Sequence, residues 1–477
     1  MRFIGRKEEL NALKGLLSRR SASLIVIKGR RRIGKSRLLE EFSHLIPKSY
    51  VFSGLLPAEP TTAQSQRDEF AGQLARQIHQ ANFKKDDWSD LFWELSKFTG
   101  KGPVLIILDE ISWMGSKDPD FLGKLKNGWD LYFKKNDQLI LAICGSATAW
   151  IEKNILSSTG FLGRESLSLT LDELPLSDCA KFWNSENNKI SSHEKLQLLA
   201  VTGGIPRYLE QINPVLTAEE NIRHLCFNKS GILFNEFEKI FSDLFSSRNI
   251  LYKKIVQCLI EGIADQQTIC KKIGLKMSGD ISDYLDDLIK SGFISRDFTW
   301  NIKDGKLSNL SHYRLRDNYS RFYLKYILPN RLKIESGDMA KASLTLLRGW
   351  NTIMGLQVEN LVLSNRHLIK QALRINPGDI VCDNPFFQRK NTKQKGCQID
   401  YLIQTQHNTI YICEIRYSKN EISSQIIDEM EEKIHHLSVH KGFSYRTVLI
   451  HVNGISESLE ESRYFSYVID LGDFLKG

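Results

Sequence analysis

No two cysteines in this 477-residue chain form a CxxC pair, although there are eight cysteines to draw on. Neighbours such as Cys382, Cys397 and Cys413 are too widely spaced for a zinc knuckle, so they read as reduced, buried thiols. A long apolar run is missing too. No uncharged stretch approaches the roughly 18 residues that span a bilayer. The N-terminus, Met1-Arg2-Phe3-Ile4-Gly5-Arg6, carries charge where a secretion signal needs an apolar segment. These absences exclude a membrane protein and a disulfide scaffold, and the expected location is the cytoplasm. What is present, 42% hydrophobic and 25% charged residues, is the make-up of a soluble globular chain. Its length predicts about two to four domains. The formal charge of +9 permits contact with nucleic acid without demanding it.

The first informative segment is residues 23–27, SLIVI, a short β-branched run that predicts a buried parallel strand. It leads into Gly29-Arg30-Arg31-Arg32-Ile33-Gly34-Lys35-Ser36, and a helix is expected to open from Arg37. Strand, GxxxxGKS and helix together make a phosphate cradle. The glycines let backbone N–H groups curl around the phosphates, Lys35 reaches the β- and γ-phosphates, and the Ser36 hydroxyl meets magnesium. ATP and Mg2+ are therefore the expected cofactors, with residues 29–37 as the nucleotide contacts.

A second apolar run, residues 104–108, ends in Asp109-Glu110, 74 residues after Lys35. Carboxylates at the C-terminal end of such a strand stand at the ligand edge of an open α/β sheet. Asp109 is expected to hold the magnesium, and Glu110 to polarise the attacking water. A third strand, residues 139–144, closes on Gly145-Ser146-Ala147-Thr148. Ser146 is a candidate for contact with the γ-phosphate or the lytic water. Its alternative role is N-cap of a helix over 147–155.

These motifs, with FIGRKEEL at the start and Thr202-Gly203-Gly204-Ile205-Pro206-Arg207-Tyr208-Leu209 later, resemble one family. It comprises the prokaryotic AAA-type ATPases, common in archaea, that are akin to the origin-recognition and STAND signalling ATPases. The resemblance implies an α/β nucleotide domain and a helical lid. In such lids the Gly-x-Pro turn lies near the adenine, which maps onto Gly204 and Pro206. Arg207 becomes a lid arginine sensing the γ-phosphate, or else the partner of Glu210. Arg164 falls where the family has an arginine finger, with a structural bridge to Glu165 or Asp172 as the alternative.

Further on, helical patterns at 249–261, 266–274 and 279–290 precede strands around the turn Lys303-Asp304-Gly305-Lys306. That order predicts a winged helix-turn-helix. Its third helix carries Asp280, Asp283, Asp286 and Asp287, a poor surface for phosphates, so packing is the favoured use.

From Gly349 a second α/β pattern begins: a helix over about 355–372, a basic turn at 389–396, then strands around Asp400 and Glu414. The two carboxylates can converge, as metal-assisted phosphodiester hydrolysis requires. This resembles the PD-(D/E)XK nuclease core, which implies Glu359, Asp400 and Glu414 as metal ligands. Arg416 stands where that family has lysine, and arginine does not give up a proton near neutral pH. Ordinary strand-end acids in a binding domain are the alternative.

The expected fold is α/β. It comprises a P-loop AAA-type parallel sheet over 1–172, a helical lid over 173–245, a winged helix over 246–335, and a restriction-endonuclease-like domain over 336–477. The expected function is Mg-dependent ATP hydrolysis coupled to a nuclease-like domain, with DNA as the partner. The rival is a STAND-like switch that binds a protein partner through an inactive nuclease fold. Assembly into oligomers is left open.

Overall fold

The computed structural model describes residues 3–57, 59–183, 190–245, 249–390, 395–437 and 441–476. The chain divides into two compact units, Met1–Asp172 and Glu173–Gly477.

In the first unit the apolar runs become three central strands, buried throughout except at Asp109: β1 (Ser23–Lys28), β3 (Val104–Asp109) and β4 (Leu139–Gly145). Two strands with no apolar run flank them, β2 (Lys48–Ser53) and β5 (Glu165–Thr170). All pair in parallel in the order β2-β3-β4-β1-β5. One face is a core in which Leu24, Val26, Ile106, Leu141 and Ile143 meet Phe70 and Leu74, Trp88 and Phe92, and Phe121 and Leu125. Those six come in pairs from helices Ala63–Gln77, Trp88–Thr99 and Phe121–Leu131. Helix α1 (Lys35–Ser43) follows β1 and starts two residues earlier than the pattern suggests, so Lys35 and Ser36 lie in its first turn.

The second unit holds helix α2 (Ser192–Thr202) and the short helix Pro206–Leu209. Then come α3 (Asn249–Gln257), α4 (Gln266–Ile273) and α5 (Gly279–Lys290), followed by an antiparallel pair, β6 (Ile294–Trp300) and β7 (Leu307–Leu315). The last strands form a mixed sheet in the order β12-β11-β10-β9-β8. They are β8 (Ile380–Gln388), β9 (Cys397–Thr405), β10 (Thr409–Arg416), β11 (Ser444–His451) and β12 (Tyr467–Asp470). Helix α6 (Trp350–Ser364) packs against β10. Helix α7 (Gln425–His436) lays Met430 on a core built by Leu402, Ile410 and Ile412. Trp300 of β6 is buried in that same core and donates to Gln404 at 2.6 Å. The β6–β7 ribbon is thus packed against the C-terminal sheet.

Two expected helices differ in extent. The one predicted from Ala147 begins at Thr148 and continues as a π-helical turn, Glu152–Leu156. The one predicted over 355–372 begins at Trp350 and breaks at Asn365, whose side chain is drawn to Leu361 O and Leu176 N. Within the basic turn, residues 391–394 lie outside the described residues. None of the described helices is long and apolar enough to cross a membrane.

Candidate functional site

Because β4 lies between β1 and β3, three strand ends converge on one edge of the first sheet. The loop after β1 turns on Gly29 (φ 148°), Arg32 (φ 67°) and Gly34 (φ 95°). Gly29 has no substitute: a Cβ there would lie 2.5 Å from the Leu171 carbonyl oxygen. Lys35 is buried, and its Nζ donates to Gly29 O at 2.8 Å and Arg30 O at 3.0 Å, so the ammonium lies over the cradle. The Ser36 hydroxyl donates to Asp109 Oδ2 at 2.7 Å, bringing together the two residues expected at magnesium. That hydroxyl–carboxylate pair is a hard oxygen donor set suited to Mg2+, which keeps most of its water.

Glu110 adopts left-handed backbone geometry, φ 50° and ψ 51°. For a non-glycine residue this costs roughly 1–2 kcal/mol, and such strain gathers at functional sites. The turn aims the carboxylate at the end of β4, where it accepts from Ser146 N at 3.2 Å and Ser146 Oγ at 3.0 Å. Ser146 is therefore engaged with Glu110. The capping position of the next helix belongs to Ala147, which makes no side-chain cap.

Arg164 is held in a two-pronged pair with Asp130, at 3.2 and 3.0 Å, rather than with Glu165 or Asp172. Lys126 and Lys134 converge on the same carboxylate, at 3.1 Å each. The hydrogen bond from Arg164, opposed by burial, holds Asp130 well below the usual carboxylate range. Pro206 and Arg207 belong to the second unit, where Pro206 opens its short helix and Arg207 pairs with Glu210 at 3.3 Å. Both glycines before them are required locally. Gly203 (φ 60°) lies against the Glu173 carboxylate, and a Cβ on Gly204 would meet Leu174 O at 2.3 Å.

In the second unit, β9 and β10 pair Leu402 with Ile412 and Tyr401 with Cys413. Extending that register by one residue sets Asp400 opposite Glu414. Asp400 Oδ2 accepts from Ile415 N at 2.9 Å, which fixes its orientation. Glu414 is 2% exposed and takes Arg416 at 2.8 Å and Lys433 at 2.5 Å. Arg416 also pairs with Glu429. Burial first, and then the charge of Asp400, push both Glu359 and Glu414 up to about 7. Glu359 and Glu414 therefore each feel the charge of Asp400. Among the described residues, no three acids, histidines or cysteines are disposed to hold a metal ion by themselves. Magnesium is commonly bound by one or two carboxylates plus water and substrate oxygens, and Asp400 with Glu414 matches that smaller set.

Residues 3–212 match the family described as an ATPase domain predominantly from Archaea. This stretch is an archaeal-type P-loop ATPase domain. The uncharacterized protein MJECL04 of Methanocaldococcus jannaschii is 27% identical over 342 residues, which are 70% of this chain and 71% of that protein. Among solved structures, the Walker-type ATPase PABY2304 of Pyrococcus abyssi is 17% identical, with a TM-score of 0.49, over 68% of this chain and 96% of that one. The ORC2 protein of Aeropyrum pernix, in its ADPNP–ADP complexes, is 13% identical with a TM-score of 0.40, over 70% and 95%.

Reading the sequence missed two residues at these sites. In the ATPase domain the buried Arg6 (φ 57°) donates to Ile33 O at 3.1 Å and to Asp172 O, bracing the phosphate loop from the N-terminal motif. Nothing in its spacing announces that. In the C-terminal sheet the missed residue is Lys433. It had a signal: a lysine in the spacing Met430, Lys433, Ile434, Leu437, otherwise an apolar helical stripe.

Proposed function

We propose that this protein hydrolyses ATP at the edge of its first sheet and uses a magnesium-dependent, nuclease-like C-terminal domain on nucleic acid. The contact between Ser36 and Asp109, two residues 73 positions apart, is the observation that carries the ATPase half. In this reading residues 29–37 wrap the phosphates, Lys35 neutralises the β- and γ-oxygens, and Ser36 with Asp109 holds magnesium. Glu110 orients the attacking water, and Ser146 sets the direction of Glu110. Bound magnesium supplies charge stabilisation at the phosphoryl group. Arg164, as a finger, would first have to leave Asp130, and Arg207, as a γ-phosphate sensor, would have to leave Glu210.

For the second half we propose a lid over 173–245, a winged-helix module over 246–335 and a nuclease-like domain over 336–477. Burial of Trp300 in the C-terminal core, together with four acids on α5, supports a winged helix that packs rather than reads a groove. Asp400 and Glu414 would hold magnesium, with Glu359 beside them. The test is cleavage of plasmid DNA with Mg2+ or Mn2+ by wild type, Asp400→Ala and Glu414→Ala. Loss of cleavage in both variants is expected, and equal nicking by all three defeats the nuclease reading.

One observation favours a second reading, the regulatory switch with an inactive nuclease fold. Glu414 already carries two cations, Arg416 and Lys433. Wild type that hydrolyses ATP and leaves DNA intact at every divalent ion tried would select it.

A further inference from the structure

A lysine facing a protein core is an expense that folding rarely tolerates, because an ammonium taken from water without a partner costs several kcal/mol. Lys433 stands at the margin of such a place, with 27% of its side chain exposed. Helix α7 turns Met430 and Leu437, 0% and 5% exposed, onto the sheet, and Lys433 falls on the same stripe between them. What it meets there is not apolar. Its Nζ lies 2.5 Å from Glu414 Oε2 and 3.9 Å from Asp400 Oδ1, so one ammonium spans the two carboxylates assigned to magnesium. Arg416, on the strand, takes the other oxygen of Glu414, Oε1, and is shared with Glu429. Among the described residues it makes no ion pair with Asp400, and its side chain is 35% exposed against 27% for Lys433.

We propose that Lys433 is the catalytic cation of the C-terminal site, supplied by helix α7 in place of the strand residue Arg416. The inference rests on the nuclease reading above. In the reaction a water oxygen bonds to phosphorus and the P–O bond to one sugar breaks. One water proton ends on the departing sugar oxygen, and the other stays on the new phosphate or passes to solvent. Lys433 keeps its own protons throughout. A compact ammonium with three donors can hold Glu414 with one and a non-bridging phosphate oxygen with another, as that oxygen gains charge. Arginine at position 416 is then compatible with activity, because that position no longer carries the chemistry.

The experiment compares wild type, Lys433→Met, Lys433→Arg, Arg416→Gln and Asp400→Ala. Supercoiled DNA is cleaved in Mn2+, and Mn2+ binding to the nucleotide-free protein is measured by calorimetry. Methionine suits the stripe of Met430, Ile434 and Leu437, so that variant should fold. Lys433→Met should lose at least 100-fold in cleavage while binding Mn2+ as tightly as wild type or more so, since a competing cation has gone. Lys433→Arg should recover part of the rate, Arg416→Gln should stay within about fivefold of wild type, and Asp400→Ala should lose both signals. If Asp400→Ala is dead and Lys433→Met cleaves within fivefold of wild type, the nuclease reading stands and the role of Lys433 falls. If Lys433→Met weakens Mn2+ binding more than tenfold along with cleavage, the lysine is a structural partner of Glu414. Absence of cleavage in wild type overturns both.

Discussion

Two glutamates show how a single side chain can be constrained for chemistry. Glu110 accepts a left-handed backbone and a pair of hydrogen bonds from Ser146, which leaves its carboxylate little freedom. Glu110→Gln should keep ATP binding within a few-fold while turnover drops at least 100-fold, which trapping of labelled ATP will reveal. Lys35→Ala should abolish turnover. Ser146→Ala, by releasing Glu110, should lower kcat about tenfold with little change in KM, the pattern of a residue acting after substrate is bound. Glu359 is constrained by burial. Its folded pKa, about 7, lies above the ordinary 4.5. Its contribution to stability is therefore complete below about 4.5 and is lost as pH rises through 7. Glu359→Gln should raise the melting temperature of the metal-free protein at pH 8 and change it little at pH 5. An equal effect at both pH values would contradict the burial argument.

At the level of elements, what could be read in advance divides along exposure. Strands β1, β3 and β4 are buried on both faces and announce themselves as apolar runs, and the carboxylates and glycines at their ends follow. The edge strands β2, β5 and β8 were silent. β2 buries only Phe52, β5 alternates serine with leucine, and Pro385 interrupts β8, where an edge tolerates it. Long-range partners were equally hidden, since no local pattern ties Arg164 to Asp130 or Arg6 to Ile33. The helices α3 to α5 were legible from their stripes, but the burial of Trp300 against β8 and β9 was not. That packing has a charged pin. Arg314, on β7, is 5% exposed and pairs with Asp297 on β6 at 2.9 Å while donating to Asn360 on α6. Arg314→Ala would leave Asp297 buried and unpaired, a loss of about 3–5 kcal/mol readable by chemical denaturation. Gly204→Ala, with no room for its methyl against Leu174, should cost about 1–3 kcal/mol.

For the molecule as a whole, two ligands should mark two units. In calorimetry, Mg-ATP at 100 times its Kd should stabilise Met1–Asp172 against unfolding by about 2.7 kcal/mol, an effect absent in Lys35→Ala. Manganese without nucleotide should instead raise the transition of Glu173–Gly477 in wild type and leave it unmoved in Asp400→Ala. Glu359 on α6 and Glu414 on β10 add a consequence that reaches past catalysis. Near neutrality Glu359 and Glu414 share protons with the solvent, and a divalent ion binds only the ionised forms. Loading the proposed metal site would then be an ion exchange, with hydrogen ions out and metal in. In weakly buffered solution at pH 7, adding Mn2+ should acidify the medium measurably, and at pH 9 it should not. Cellular acidity and free magnesium would then act on this domain as one combined variable.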